Sequence, residues 1–312
     1  MTETTDTNNY LLSVENIDTY IGQFHILEGV SVNVAKGSIT VLLGRNGAGK
    51  TTTVRMLTGL IRPSSGSAQV AGFELGEDDT NIRRNVGILT ESPGMYERLT
   101  AEKNLTIFAN LYDVPDIEKS VNKYLSMLNL WERRHDAVGS FSKGMRQKLA
   151  VARALIHEPQ ILFLDEPTTG LDPEASKTVR DFVEELKNEG RTIFMTTHNL
   201  DEADRLCDRV AVFKTRLLAM DTPARLRTEF FGRRVVFHLR EAPTSLALEV
   251  SKLPFVRDAQ AIENKLVVAL DNPEEANPQL VRFLVARGVD VLFVGELRRS
   301  LQEVYLQLVK AA

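Results

Sequence analysis

Apolar residues between positions 11 and 213 follow two periodicities. Almost continuous apolar runs at 161–164 and 192–195 are typical of parallel strands that are covered on both faces. Further strands are predicted at 11–17, 30–34, 38–43, 68–72, 86–90 and 209–213, and helices at 50–60, 101–112, 117–129, 143–156, 173–188 and 199–206. This alternation predicts an α/β fold with a mixed sheet at its core.

The pattern changes at two places. Helical spacing dominates between the strands at 86–90 and 161–164, which predicts an inserted helical subdomain at about 92–158. Asp221-Thr222-Pro223 indicates the start of a new helix and a domain boundary. We therefore expect a flexible tail at 1–10, a first domain at 11–221 and a small α+β domain at 222–312. The second domain has predicted strands at 234–239, 255–262, 265–270 and 289–294 and helices at 244–252, 277–287 and 300–310.

Three helix starts carry capping sequences. Asp172-Pro173 combines an N-cap residue with a proline in the first turn. Ser300 with Glu303, and Asn199 with Glu202, have the spacing of capping boxes, in which each residue's side chain accepts the other's backbone N–H.

Composition limits the classes of function. A net charge of −4 over 312 residues gives no general attraction to nucleic acid or to anionic lipid. The single cysteine, Cys207, excludes an intrachain disulfide and fits a reducing compartment. No apolar stretch approaches the roughly 20 residues that cross a bilayer, and the polar first residues do not resemble a signal peptide. We expect a cytoplasmic protein that binds no nucleic acid and reaches a membrane only through a partner.

The most informative motif lies between the strand at 38–43 and the helix at 50–60. It has the form GxxxxGKT and consists of Gly44, Arg45, Asn46, Gly47, Ala48, Gly49, Lys50 and Thr51, followed by Thr52. Glycines in such a loop let successive backbone N–H groups surround phosphate oxygens, and the helix N-terminus adds a favourable dipole. The lysine can reach the β- and γ-phosphates, and the Thr51 hydroxyl can bind Mg²⁺. The motif predicts a nucleotide-phosphate site.

Candidate catalytic groups follow the two apolar runs. Asp165 and Glu166 come at the end of the first, where Asp165 is suited to hold Mg²⁺ through water and Glu166 to orient or deprotonate an attacking water. His198 follows the second. Because the carboxyl ends of parallel strands converge on the ligand, we expect His198 to face the γ-phosphate.

A second potential anion site precedes the helix at 143–156. Ser142 can cap this helix, and Lys143, Gly144 and Met145 form its first turn, where free N–H groups and the helix dipole favour an anion. Taken alone, the segment is better explained as a simple capped helix.

Together, these segments resemble the ATP-binding subunit of an ABC transporter, over roughly residues 11–220. The GxxxxGKT loop matches Walker A, residues 161–166 match Walker B with its catalytic glutamate, and Gly170-Leu171-Asp172 matches the D-loop. His198 matches the switch histidine, and Tyr20 matches the aromatic residue that stacks on adenine. Ser142 to Met145 is a variant of the family's Ser-Gly-Gly-Gln signature.

The resemblance implies a mechanism. ATP and Mg²⁺ bind one copy's phosphate loop, with Glu166 and His198 as catalytic residues and Thr51, Asp165 and Glu91 as metal ligands. A second ATP-binding domain, most simply a second copy of this chain, supplies its signature and D-loop in trans, and closure of the pair drives a separate membrane permease. The chain would then lie on the inner face of the cell membrane. The residues expected to act in trans are Ser142, Lys143, Gly144, Met145 and Asp172.

The sequence departs from the family pattern in two motifs. Glu91 stands where the family has the Q-loop glutamine, so it can bind Mg²⁺ but adds negative charge beside the triphosphate. Lys143 and Met145 replace the second and fourth signature residues, and the Lys143 ammonium could lie near the phosphates or point to solvent.

The variant signature, the segment at 93–100 and the additional C-terminal domain resemble exporter ATPases of the drug-resistance and sodium-extrusion type. Tyr20-Ile21-Gly22-Gln23 and Leu43-Gly44-Arg45-Asn46 also resemble branched-chain amino-acid importers, which usually lack such a C-terminal domain. Met95, Tyr96 and Leu99 are candidates for a groove that receives the permease, and local packing is the alternative.

Other classes of P-loop protein fit less well. Soluble ABC ATPases of DNA repair or translation need a long coiled-coil insertion or two tandem ATPase domains, and neither is present. A GTPase needs an Asn-Lys-x-Asp element, which is absent, and a kinase lacks the signature and the histidine after the acidic pair.

Overall fold

The computed structural model describes residues 9–90, 94–297 and 299–311. The chain divides into two compact units, of which the first ends at Thr222 and the second spans Pro223–Ala311.

The first unit is a mixed α/β structure. Its strands are β1 (Tyr10–Ile21), β2 (Phe24–Ala35), β3 (Ile39–Leu43), β4 (Ser65–Val70), β5 (Phe73–Glu74), β6 (Val86–Leu89), β7 (Ile161–Asp165), β8 (Thr192–Thr197), β9 (Arg209–Lys214) and β10 (Arg216–Asp221). Its helices are α1 (Lys50–Leu57), α2 (Asp79–Asn85), α3 (Ala101–Leu111), α4 (Ile117–Met127), α5 (Lys143–Leu155), α6 (Pro173–Asn188) and α7 (Leu200–Leu206).

Six strands form the central sheet in the order β10-β9-β3-β8-β7-β6. Strands β9, β3, β8, β7 and β6 are parallel, and β10 is antiparallel at the edge. Every residue of β3, β7 and β8 is buried, as the continuous apolar runs predict for parallel strands between two layers. The predicted mixed α/β fold is confirmed.

A second, antiparallel sheet in the order β2-β1-β4-β5 packs against the central sheet. A shared apolar cluster that includes Leu12, Leu42, Met56 and Phe163 joins it to the central sheet and α1. The β1–β2 hairpin is longer than the sequence predicted, because it continues through residues 18–21 and 24–29, where polar and apolar residues are mixed and only Thr19 and Leu27 are buried. Helix α2 was not predicted, since Ile82 is its one buried residue and gives no apolar period.

The second unit contains α8 (Pro223–Phe231), β11 (Arg233–Leu239), α9 (Thr244–Val250), β12 (Val256–Ile262), β13 (Lys265–Leu270), α10 (Pro273–Ala286), β14 (Val291–Glu296) and α11 (Leu301–Ala311). Its sheet is antiparallel in the order β12-β13-β11-β14. Helix α10 starts at Pro273 rather than at 277, because Pro273 is itself a favourable first-turn proline after Asn272. Phe237, Val268 and Leu280 lie in this unit's own apolar core.

The capping predictions have three outcomes. Asp172 accepts hydrogen bonds from the Glu174 and Ala175 N–H groups, as expected. Ser300 and Glu303 form the predicted reciprocal capping box, at 2.9 and 3.3 Å. The predicted box at α7 is wrong in one half, because the Asn199 N–H donates to the Thr197 hydroxyl instead of to Glu202.

Across the ranges that the structure describes, no helix has both the length and the apolar character that a membrane span requires.

Candidate functional site

The phosphate loop joins β3 to α1. Gly47 and Gly49 have φ angles of +81° and +101°, a region that glycine adopts without steric cost. A Cβ on Gly49 would also lie 3.0 Å from the Ile26 carbonyl oxygen of β2. Gly49 is the N-cap of α1 and provides no side-chain cap, so the first N–H groups of the helix remain available for an anion.

This loop borders a cavity of about 470 Å³. The cavity contains both predicted catalytic side chains and most of the predicted ATP-binding residues. Its lining consists of Ile26, Asn46, Gly47, Gly49, Lys50, Thr51, Thr52, Glu166, Thr169 and His198. We call it the phosphate-loop cavity.

Gly44, Arg45 and Ala48 were predicted to bind ATP, but they do not line this cavity. The backbone carbonyls of Gly44 and Arg45 accept hydrogen bonds from Lys50 Nζ at 2.8 and 3.2 Å. A Cβ on Gly44 would lie 2.6 Å from the Phe213 carbonyl oxygen, so the loop can approach β9 only with glycine here. In the structure these residues shape the loop and hold its lysine.

Glu166 is the centre of the site. It has a φ of +51°, which is uncommon for a residue other than glycine, and its backbone N–H donates to the Thr196 carbonyl at 3.1 Å. Three groups contact its carboxylate: Lys50 Nζ lies 3.0 Å from Oε1, while the Thr169 hydroxyl at 2.8 Å and His198 Nδ1 at 2.7 Å reach Oε2. The left-handed backbone therefore turns the side chain from the end of β7 into the cavity.

Only 8% of the Glu166 side chain is exposed. Burial by itself would raise the pKa of this carboxyl, but the hydrogen bonds from Lys50, Thr169 and His198 outweigh it and lower the pKa. Glu166 is therefore ionised at neutral pH, as a base or water-orienting group must be.

Asp165 lies at the carboxyl end of β7 and is 2% exposed. Its Oδ1 accepts a hydrogen bond of 2.6 Å from the Thr196 hydroxyl on the neighbouring strand. Of the other predicted metal ligands, Thr51 lines the phosphate-loop cavity, and Glu91 lies outside the described residues.

Glu202 is a functional candidate that the sequence did not reveal. It is 3% exposed on α7 and accepts hydrogen bonds from the hydroxyls of Thr168 at 2.8 Å and Thr197 at 2.7 Å. These bonds connect the segment after Glu166 to the end of β8, directly before His198. The spacing from Asn199 indicated only a capping role, although Thr168 after β7 and Thr197 at the end of β8 offered a further signal.

Four of the five residues predicted to act in trans, all but Lys143, meet at a second cavity, here called the Ser142 cavity. It is lined by Ser142, Gly144, Met145, Lys148, Asp172, Glu174, Ala175 and Thr178. Ser142 caps α5 by accepting the Met145 N–H at 3.2 Å. A Cβ on Gly144 would lie 2.7 Å from Ala175 Cβ, so this glycine allows α5 and α6 to approach closely.

Lys143 points away from the Ser142 cavity. Its Nζ lies 3.5 Å from the Thr169 carbonyl oxygen, between the signature and the D-loop of the same chain. The residue is exposed and does not line the phosphate-loop cavity.

Tyr20 lies at the end of β1 and does not line the phosphate-loop cavity. Its ring is stacked on His25 of β2, with ring centroids 4.2 Å apart and an interplanar angle of 8°.

These groups define the chemistry of the site. A glycine loop at a helix N-terminus, a buried lysine, an ionised carboxylate and an imidazole converge at the carboxyl ends of parallel strands. The arrangement is that of a P-loop site that binds and hydrolyses a nucleoside triphosphate.

Similarity to known proteins identifies the family within this class of P-loop proteins. Residues 27–169 match the ABC transporter family. A fluoroquinolones export ATP-binding protein of Mycobacterium tuberculosis is 42% identical over 210 residues, 67% of this chain and 69% of that protein. A daunorubicin resistance ATP-binding protein of Streptomyces coeruleorubidus is 35% identical over 301 residues, 95% of each chain. A solved ATP-binding subunit of an ABC transporter superimposes with a TM-score of 0.66 at 32% identity, covering 78% of this chain and all of that one.

The chain therefore belongs to the ATP-binding subunits of ABC transporters, and it is an ATPase of that family. The predicted resemblance is confirmed. Relatives named for export and resistance favour the exporter interpretation over the importer and the soluble ATPase. The daunorubicin resistance relative also covers the second unit, in agreement with an exporter type that has an additional C-terminal region.

Proposed function

We propose that two copies of this chain pair head to tail, with each ATP lying between the phosphate-loop cavity of one copy and the Ser142 cavity of the other. The observation that carries this proposal is the separation of the two cavities, which share no lining residue. Ser142, Gly144, Met145 and Asp172 therefore lie together outside the cavity that their own chain's phosphate loop borders. Hydrogen-bond donors at the N-terminus of a helix suit the γ-phosphate of the ATP that a facing copy binds.

Within one copy, the residues divide the work. Lys50 and the first N–H groups of α1 bind the phosphates, and the ionised Glu166 orients and deprotonates the attacking water. His198 lies on Glu166 Oε2 and lines the cavity, so it can position the carboxylate and contact the γ-phosphate at once. At the base end of the nucleotide, Tyr20 stacks on adenine.

The residues present fit Mg²⁺ bound together with ATP. Within the described ranges there is no group of three or more His, Cys, Asp or Glu side chains that could hold a metal ion alone. Magnesium usually takes one or two protein groups and completes its shell with phosphate oxygens and water. The Thr51 hydroxyl and, through water, Asp165 would hold this ion, which neutralises charge on the β- and γ-phosphates.

A membrane permease is the partner that ABC ATP-binding subunits serve, and the region at 94–111 is our candidate for its contact surface. Tyr96 is 53% exposed, and Ile107 and Leu111 on α3 are exposed by 38% and 70%. The buried Asn104 binds both the N–H and the carbonyl of Tyr96, at 2.9 and 3.1 Å, which fixes this loop. The chain would then work on the inner face of the membrane through an export permease.

A mixing experiment tests the shared site. Lys50→Ala and Ser142→Arg should each abolish ATP hydrolysis, and a mixture of the two purified full-length variants should regain it. In a mixed dimer, the intact Lys50 of one copy faces the intact Ser142 of the other.

The matched control mixes Lys50→Ala with Glu166→Gln. Both residues belong to the same copy's cavity, at 3.0 Å from one another, so no mixed dimer has an intact site and activity should stay absent. Recovery in the control alone, or in neither mixture, would refute the head-to-tail arrangement.

A further inference from the structure

In the stack between Tyr20 and His25, the histidine ring is hydrogen-bonded to the carboxylate of Asp18. His25 Nε2 lies 2.8 Å from Asp18 Oδ1, and the two side chains are only about one third exposed, at 32% and 30%. Asp18 also accepts the Gly29 N–H at 3.2 Å and the Ser65 hydroxyl at 3.0 Å. Hydrogen bonding to His25, followed by these two donors, lowers the pKa of Asp18. The imidazole is therefore fixed in the plane that it presents to Tyr20.

A β-bulge connects this stack to the phosphate-loop cavity. Tyr20 pairs with His25 and Thr19 pairs with Leu27, which leaves Ile26 as the unpaired residue. Ile26 lines the cavity, and its carbonyl oxygen approaches Gly49 of the phosphate loop. His25 thus stands one residue from the cavity wall on β2, and Tyr20 pairs with it from β1.

A second Tyr–His stack in the molecule shows what is particular to this one. Tyr112 and His157 have ring centroids 3.9 Å apart and the same interplanar angle of 8°. His157 bonds the Val86 carbonyl and packs between elements of the fold. Tyr20 is instead 52% exposed, and its face away from His25 makes no ring contact with any described residue. An aromatic ring that is rigid on one side and open on the other is suited to stacking on a nucleobase.

We propose that His25 is a positioning residue for the nucleotide base: by stacking on one face of Tyr20, with Asp18 holding its own ring, it directs the other face of the tyrosine toward adenine. The inference rests on the proposed contact between Tyr20 and adenine. It extends the base-binding element from one residue to the unit Asp18–His25–Tyr20.

The test compares a ligand that has a base with one that lacks it. Binding of ADP and of inorganic pyrophosphate to the full-length protein is measured by titration calorimetry for the wild type, Tyr20→Ala, His25→Ala and His25→Phe. Tyr20→Ala should weaken ADP binding about tenfold and His25→Ala roughly threefold. His25→Phe keeps an aromatic face for Tyr20 and should stay close to the wild type. Pyrophosphate binding should be unchanged in all of them.

His135 provides a matched control, because it is a histidine that is also paired with a carboxylate, Glu102, and it lines neither cavity. His135→Ala should bind ADP and pyrophosphate as the wild type does.

The possible outcomes distinguish a failure of the His25 role from a failure of the proposed contact between Tyr20 and adenine. If His25→Ala binds ADP with wild-type affinity while Tyr20→Ala binds it weakly, the positioning role of His25 is refuted and the Tyr20 contact is retained. A His25→Phe variant that binds ADP as weakly as His25→Ala would refute the same role. An equal loss of pyrophosphate binding would mean damage to the phosphate loop rather than to base stacking. Normal ADP binding by Tyr20→Ala would overturn both the Tyr20 contact and the role of His25, while leaving the phosphate site intact.

Discussion

Glu166 and Glu158 show how similar local structures serve different purposes. Both glutamates have a φ close to +50°, both carry a lysine partner, and in both hydrogen bonds outweigh burial and lower the pKa of the carboxyl. Glu158 follows α5, is 45% exposed, and binds Lys123 of α4 at 2.7 Å and Arg191 before β8. Glu166 is 8% exposed and faces the phosphate loop.

The difference between them is one of access rather than of bonding. Glu158 connects helices of the inserted region to the central sheet, and its partners are fixed protein groups. Glu166 has its partners inside a cavity where a phosphate and a water can replace them. A lowered carboxyl pKa therefore accompanies a structural ion pair at Glu158 and, in the proposed mechanism, the catalytic base at Glu166, and only the surroundings distinguish the two.

The largest expected effect comes from Glu166→Gln. The amide keeps the shape of the side chain but cannot take a proton, so single-turnover ATP hydrolysis should slow by roughly 10²–10⁴ while ATP binding persists. Glu158→Gln is the control and should hydrolyse ATP at the wild-type rate. Equal losses in the two variants would erase the distinction drawn between them.

The two lysine partners should differ in the same way. Lys50→Ala removes the group that reaches the phosphates and should weaken ADP binding by at least about tenfold, measured by calorimetry. Lys123→Ala removes the equivalent partner of Glu158, which lines neither cavity, and should leave ADP affinity unchanged. Unaltered affinity in Lys50→Ala would contradict the phosphate-loop assignment.

The free energy of unfolding should depend on Glu158, the other glutamate of the comparison. Glu158→Gln weakens the contacts with Lys123 and Arg191 and should lower the free energy of unfolding by up to about 1 kcal/mol, since the pair is nearly half exposed. Urea denaturation of the full chain measures this. A Glu158→Gln variant that lost ATP hydrolysis but kept its free energy of unfolding would contradict the structural role assigned to Glu158.

The smallest effect concerns acid. Burial raises the pKa of Glu158, but hydrogen bonds from groups that include Lys123 and Arg191 lower it from 4.5 to about 2. A depressed folded pKa gives stability that is complete above the unfolded value and is lost as the pH falls through the folded value. The stability difference between the wild type and Glu158→Gln should therefore shrink between about pH 4.5 and pH 2. A difference that grows toward low pH would reverse the sign of this contribution.

The parts of the site that were predictable are those encoded in short, continuous segments. Lys50, Glu166 and His198 could be placed because each follows an apolar strand, and the ends of parallel strands converge. Glu202 could not, because its partners Thr168 and Thr197 lie on two separate segments that only the fold brings together. The same holds for His25, whose meaning depends on cross-strand pairing with Tyr20 around a bulge.

The fold shows the same limit. Runs such as 161–164 specify a buried strand by themselves, whereas the two-residue β5 and the largely polar α2 are set by what they pack against. Such choices are made by tertiary contacts, which local patterns do not contain.

The contact between Lys50 and Glu166 has a consequence for proton balance. A phosphate that takes Lys50 as its partner removes one of the hydrogen bonds that lower the pKa of Glu166, so this pKa rises when the nucleotide binds. Linkage then requires proton uptake on binding in the pH range where the carboxyl titrates, together with tighter nucleotide binding as the pH falls toward that range. In the proposed mechanism, in which Glu166 is the base, this carboxylate thereby becomes a stronger proton acceptor when the nucleotide binds.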